Sequence, residues 1–254
     1  ATPPLPEQQQ IVEILEEQLG RLDAALENVR VVKEKAAQFR RSLLHSAFNG
    51  TLTGHTPKEG TLPEGWENIR LGDLVNVRYG KSLAKAHRSD SGKFPVVGSA
   101  GLMTYTDNAL IKEAVIVVGR KGNVGDVQFF KHGVWPIDTV YYFEAPPLLE
   151  TSYFYMNLVS KEMKKLDSST ATPSLRREDM ERVIVNVPPL SEQHQIVEIL
   201  EEQLGRLDAA LAVAESVEAR SAELRRSLLH AAFTGRLTEK WREGNRSLIS
   251  KGTE

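Results

Sequence analysis

Residues 4–53 read PLPEQQQIVEILEEQLGRLDAALENVRVVKEKAAQFRRSLLHSAFNGTLT, and residues 189–238 read PLSEQHQIVEILEEQLGRLDAALAVAESVEARSAELRRSLLHAAFTGRLT. The offset is 185 residues throughout, without a gap, and Ile11–Leu26 recurs unchanged as Ile196–Leu211. A solenoid stacks adjacent copies. Here 135 residues of different sequence, 54–188, separate the two blocks. The pattern therefore predicts two equivalent helices flanking one inserted domain.

Within the first block Leu22, Ala25, Val29, Val32, Ala36, Phe39 and Leu43 step by three and four residues. Leu207, Ala210, Ala214, Val217, Ser221, Leu224 and Leu228 do the same in the second. This is an a/d stripe over roughly three heptads. Prolines at 4 and 6, or 188 and 189, block helix upstream. Gly50 and Gly235 fit the residue just past a helix end. Helices over 11–47 and 196–232 follow, each about 55 Å long at roughly 1.5 Å per residue. A rod with one apolar stripe needs a partner, and the other copy is the nearest. The expectation is an antiparallel coiled coil with Val29, Val32 and Phe39 facing Leu224 and Val217. Identity also extends to Glu16, Glu17, Gln18, Arg21 and Asp23 and their copies Glu201, Glu202, Gln203, Arg206 and Asp208. Core packing does not require outer faces to match. Glu16, Glu17, Arg21, Glu201, Glu202 and Arg206 are therefore candidate contacts for a partner bound twice.

The 254 residues hold no Cys, carry a formal charge of −2 and are 41% hydrophobic. No disulfide scaffold, thiolate metal site, signal peptide or 18-residue apolar run is present in the sequence, so the expected setting is cytoplasmic and away from membranes. The chain opens at Ala1 and enters the repeat within a few residues, as a fragment or processed product would.

Between the blocks, Thr51–Thr61 reads as a linker. Short β-rich runs follow at Val75–Val77, Phe94–Val97, Ala114–Val118, Val127–Phe130, Val140–Phe143 and Val183–Val187, with helix predicted over Thr151–Leu166. The fold class is α+β: one mixed domain between two long helices. The boundaries are 1–54 for the first helical region, 55–187 for the domain, 188–240 for the second helical region and 241–254 for a tail. Residues 62–187 carry 16 Lys plus Arg against 15 Asp plus Glu. The cations nonetheless bunch. Arg78, Lys81, Lys85, Arg88 and Lys93 lie together, with Ser82 among them. Arg120, Lys121 and Asn123 occupy a Gly-rich turn, and Arg176 and Arg177 follow Thr170, Thr172 and Ser174. Cations suit phosphates, and hydroxyls, amides and guanidinium forks suit base edges, so these fourteen residues are the candidate DNA contacts.

Gly80-Lys81-Ser82 lacks the first Gly of a P-loop, because residue 75 is Val75. Gly119, Gly122 and Gly125 lack dinucleotide-fold spacing. No HExxH or GxSxG motif occurs, so no catalytic residue, metal or cofactor is expected. Two classes stay open on the residues: a DNA-recognition module, and a coiled-coil interaction protein whose middle domain binds another partner.

Several features in order carry a family resemblance: Pro188-Pro189-Leu190-x-Glu192-Gln193 opening the second helix; RRSLL-x-x-AF-x-G-x-LT closing both; Leu62–Trp66 (LPEGW) and Leu71-Gly72-Asp73; Gly119–Gly122 (GRKG); Asp138-Thr139; and Ser174-Leu175-Arg176. The chain resembles the DNA-specificity subunits of type I restriction-modification enzymes. The resemblance implies a non-catalytic subunit whose target-recognition domain reads half of a bipartite site in double-stranded DNA. It implies helices that space the halves and hold two methyltransferase subunits, with a restriction-translocase subunit joined indirectly. Family members carry two recognition domains, whereas this sequence shows one. Two assemblies are open: a homodimer that supplies the second domain, and a monomer reading a half-site.

Overall fold

The computed structural model describes residues 2–56, 61–167 and 173–246. Two helices of 44 residues dominate it: α1 (Leu5–Phe48) and α5 (Leu190–Phe233). Both begin six residues upstream of the expected starts. The carbonyls of Pro4 and Pro189 accept the first-turn amides of Glu7 and Gln8, and of Glu192 and Gln193, at 2.9–3.0 Å. The prolines are thus the first anchors of the helices. Both helices stop where Gly50 (φ 88°) and Gly235 (φ 74°) turn left-handed. A Cβ on Gly50 would also meet the Pro63 ring at 2.5 Å.

The chain divides into two compact units, with the cuts inside the helices: residues 1–40 with 203–254, and residues 41–202. In the first unit the helices pair antiparallel. Lys33 bonds Glu218 at 2.7 Å, Arg40 bonds Asp208, and Arg225 bonds Asp23. As one number rises its partner falls, which is the antiparallel signature. Leu22, Val29 and Ala36, seven residues apart, are buried from one strand, with Ala214 and Ser221 from the other. Val32, Phe39 and Leu224 are instead 45–49% exposed, contrary to the expected seam. Two helices alone enclose only one row of the stripe. The second row borders a shallow groove, in which Val32, Ala36 and Phe39 face Leu207, Ala210 and Leu211. The tail helix α6 (Glu239–Gly244) follows Thr238. Thr238 and Arg242 both donate to Glu7 (2.7 and 2.6 Å). Burial raises the Glu7 pKa, but these two donors more than offset it and hold the carboxyl below its usual range.

The second unit is the sheet domain with the ends of both helices. Strands β1 (Glu67–Arg70) and β9 (Ile184–Val187) pair antiparallel, so the domain is entered and left side by side. Between them lie a four-stranded and a three-stranded sheet. The first has the order β2 (Arg78–Tyr79), β8 (Val140–Phe143), β5 (Val115–Gly119), β6 (Val127–Phe130). The second has the order β4 (Gly101–Thr106), β3 (Phe94–Gly98), β7 (Trp135–Pro136). β5 and β8 are buried along their whole length, as continuous apolar runs demand. Val75–Val77 is not a strand, and the pairing begins at Arg78. α2 (Leu71–Leu74) and α4 (Arg177–Glu181) are single turns. α3 (Thr151–Ser160) ends earlier than expected. Glu162 turns left-handed (φ 47°), and residues 163–166 continue only as a 3-10 turn. Phe154 of α3 packs 5.7 Å from Phe143, and Tyr153 stands edge-on to Phe48 at 5.5 Å. Burying such a ring contributes roughly 2–3 kcal/mol.

The expected linker is anchored where it is described. Thr53, His55 and Trp66 all bond the carboxylate of Glu192, at 2.5, 2.8 and 3.0 Å.

Candidate nucleic-acid interface

The four-stranded sheet positions three basic loops. Arg78 and Tyr79 form β2 against Tyr142 and Tyr141. Gly119 ends β5 and delivers Arg120 and Lys121, whose amides both donate to Thr139 O. Leu175 N then donates to Arg120 O at 2.9 Å, and Lys121 pairs with Ser174 as an isolated bridge. The 120–123 and 173–177 loops are thereby tied together.

Tyr141 and Tyr79 complete the junction. The Tyr141 hydroxyl donates to Leu175 O at 3.0 Å, and its ring lies 5.0 Å from Tyr79. The Arg120 guanidinium sits 5.4 Å from the Tyr79 ring centre and donates to Asp138 O. Burial, then the adjoining Tyr79 hydroxyl, pushes the Tyr141 phenol well above its usual range, so it stays a neutral donor. Tyr79 is 49% exposed beside these cations, and the sequence reading missed it. The signal was its place in Arg78-Tyr79-Gly80-Lys81, an aromatic among cations in a short strand. Asp138 and Thr139 entered only through the family motif, and their backbone carbonyls carry the loop.

Other candidates have internal duties. Arg78 bonds Glu144 and lies 4.8 Å from the Tyr142 ring. Arg88 clips its own turn by two bonds to Leu83 O. Arg176 pairs with Asp179, and Arg177 with Glu181, which raises the Arg177 pKa. Lys81, Ser82, Lys85, Lys93, Lys121 and Asn123 are exposed. Lys81 lies by β7, where its amide meets Pro136 O and its carbonyl receives Trp135 Nε1. Lys93 precedes β3 at the end away from Thr139, which bonds Ser99 beyond the other end. Five residues at about 3.3 Å each put roughly 15 Å between those ends. Thr170 and Thr172 lie outside the described residues. Among the described residues no His, Asp or Glu cluster could hold a metal, and no helix is long and apolar enough to cross a membrane.

On the helices, Glu16, Glu17, Arg21, Glu201, Glu202 and Arg206 are all exposed, and Arg21 bonds Glu17 at 2.6 Å. The repeat ends differ sharply in cover. Leu44 and Phe48 are 9% and 6% exposed, whereas their copies Leu229 and Phe233 are 37% and 87% exposed. Gln193 is fully buried, bonding Glu150 N, Leu148 O and Pro188 O. The side chain of its copy Gln8 bonds Pro3 O alone among the described residues.

Residues 63–211 match the family model described as the type I restriction modification DNA specificity domain. The chain belongs to that family. It is similar to the specificity subunits of the type I restriction enzymes EcoDI (25% identical over 73% of this chain and 42% of the relative) and EcoBI (23% over 98% and 60%), both from Escherichia coli. It also resembles the solved type I restriction-modification S subunit of M. genitalium (TM-score 0.58, 22% identity, 88% of this chain and 61% of that one). The HsdS subunit of Thermoanaerobacter tengcongensis is similar in the same way (TM-score 0.57, 22% identity, 92% and 59%). The specificity family is therefore shown by the match, and the fold by the solved structures. The chain spans about 40–60% of the length of these relatives.

Proposed function

We propose that residues 62–187 read one half of a bipartite site in duplex DNA, in a non-catalytic subunit whose paired helices dock two methyltransferase subunits. The observation that supports this reading is the junction at Tyr79, Tyr141 and Leu175, where the start of the first basic loop meets the Arg120–Asn123 loop and the Ser174–Arg177 loop. Lys81, Lys121 and Lys85 suit phosphates. Asn123 and Ser174, with Arg176, whose side chain stays 64% exposed while paired with Asp179, suit base edges. Methyl transfer belongs to the partner subunits, and a restriction-translocase joins through them. The helices offer exposed Glu16, Glu17 and Arg21 and their copies in duplicate, and the Val32–Phe39 groove adds an apolar ledge.

The exposed copies of Leu44 and Phe48 support a homodimer in which the second chain's recognition domain covers Leu229 and Phe233. Light scattering of the purified chain separates dimer from monomer.

The DNA reading is tested by selection from random duplexes with the chain bound to a type I methyltransferase, followed by titration. Lys121→Ala should weaken all sequences alike and lower the salt slope by about one unit. Arg176→Ala should cost about 1–3 kcal/mol at one base pair and relax that position. Selection that returns no enriched sequence would refute the recognition role.

A further inference from the structure

The inter-helix bonds reveal a pseudo-two-fold axis. Asp23 and Asp208 are copies of each other, as are Arg40 and Arg225. The bridges Arg225–Asp23 and Arg40–Asp208 are therefore one contact made twice in opposite senses, the mark of an isologous interface. Lys33 and Glu218 are also copies, at an offset of 185, yet they bond each other at 2.7 Å. A position that meets its own copy lies on the axis. There, an unchanged repeat would set like charge against like.

The blocks diverge at that place. From 27 to 39 against 212 to 224, eleven of thirteen positions differ, and only Val32/Val217 and Ala37/Ala222 match. Outside that window the differences are Pro6/Ser191, Gln9/His194, Ser46/Ala231, Asn49/Thr234 and Thr51/Arg236. The flanking Asp–Arg bridges cannot tell α1 from α5, because each helix carries both partners. Two α1 helices from different chains would make the same bridges, and so would two α5 helices. Only the axial residues separate the outcomes. Like pairs would bring Lys33 to Lys33 or Glu218 to Glu218. An α5 pair would also have only Ala214 and Ser221 to bury at its centre, against Val29 and Ala36 in α1.

We infer that the Lys33–Glu218 pair is a pairing code: it selects α1 against α5 and rejects either helix against its own kind. The device keeps the hairpin whole when copies of the chain meet. A second chain can then join only through surfaces away from the seam.

Melting and crosslinking of the full chain test this. Lys33→Glu and Glu218→Lys each place like charges on the axis. Each should lower the melting midpoint by about 2–4 °C at low salt, and the double swap should return it to within about 1 °C. In 1 M NaCl the differences should collapse, since screening acts over about 3 Å there. Because the chain has no Cys, Val32→Cys, an exposed position beside the axis, reports contacts between α1 helices through a bismaleimide. Crosslinked dimer should be scarce in this background and several-fold more abundant once Lys33→Glu is added. A double swap no more stable than the sum of its singles, or equal crosslinking in both backgrounds, overturns the inference. Duplex binding by the recognition domain is a separate readout that neither result depends on.

Discussion

Replacing Glu192 by Ala tests the clasp that ties the helix α5 start to the linker and the domain's first strand. One carboxylate accepts from Thr53 Oγ1, His55 Nε2 and Trp66 Nε1, and its side chain is only 15% exposed. Trp66 is itself buried at 6%. Removing the acceptor leaves the indole N–H without its bond in a dry place, a loss of about 2 kcal/mol; the threonine adds about 1, and the half-exposed histidine about 0.5. The expected cost is about 3–4 kcal/mol. At about 2–4 °C per kcal/mol, the melting midpoint should fall by roughly 6–16 °C. Glu192→Gln keeps one acceptor oxygen and should lose about half as much. Calorimetry on the parent and both variants gives the comparison, and tryptophan emission reports the exposure of Trp66. A Glu192→Ala protein melting within 1 °C of the parent would refute the reasoning, as would a Gln variant worse than the Ala one.

Lys161 sits beside Asn186 with its amine pulled down by burial from 10.5 to about 8. Between pH 8 and 10 the unfolded chain holds that proton and the folded chain does not. Stability should therefore rise across this window by on the order of 2 kcal/mol relative to Lys161→Met, read as the difference between two pH-dependent melting curves. At the seam, Val29→Asp should cost about 3–5 kcal/mol while Phe39→Asp stays within about 1 kcal/mol, a ranking that urea titration checks. Gly80→Ala should cost about 3 kcal/mol or more, because its Cβ would stand 2.0 Å from Ile137 O; thermal melting decides, and a neutral result would mean β2 can shift.

The helices were legible because a repeat doubles every signal: the same stripe, prolines and glycine appeared twice. The stripe did not say which of its two rows closes, since that depends on how many helices share the seam. Phe39 therefore appeared buried in sequence and is exposed in structure. Runs of β-branched and aromatic residues gave β3, β5, β6, β8 and β9. β1 and β4 escaped because Glu67–Arg70 and Gly101–Thr106 are polar or Gly-bearing edge segments whose identity comes from their partners. Of the candidate site, composition located the three loops. It could not show that Arg88 spends its guanidinium on Leu83 O, which depends on how its own turn closes, nor that Arg120 comes to lie over Tyr79, which depends on a strand pairing remote in sequence.

The β1–β9 pairing has an evolutionary consequence. Everything from Leu71 to Val183 is held between two four-residue strands in fixed register, Glu67 to Val187 and Arg70 to Ile184. A sequence inserted there has its ends already fixed about 5 Å apart, so its loop-closure cost is met by the host rather than by its own core. Such a segment is free to drift, or to be exchanged as a cassette, while the geometry at the mouth stays constant. Variation is then confined to the inserted segment, and the paired strands that frame it are spared.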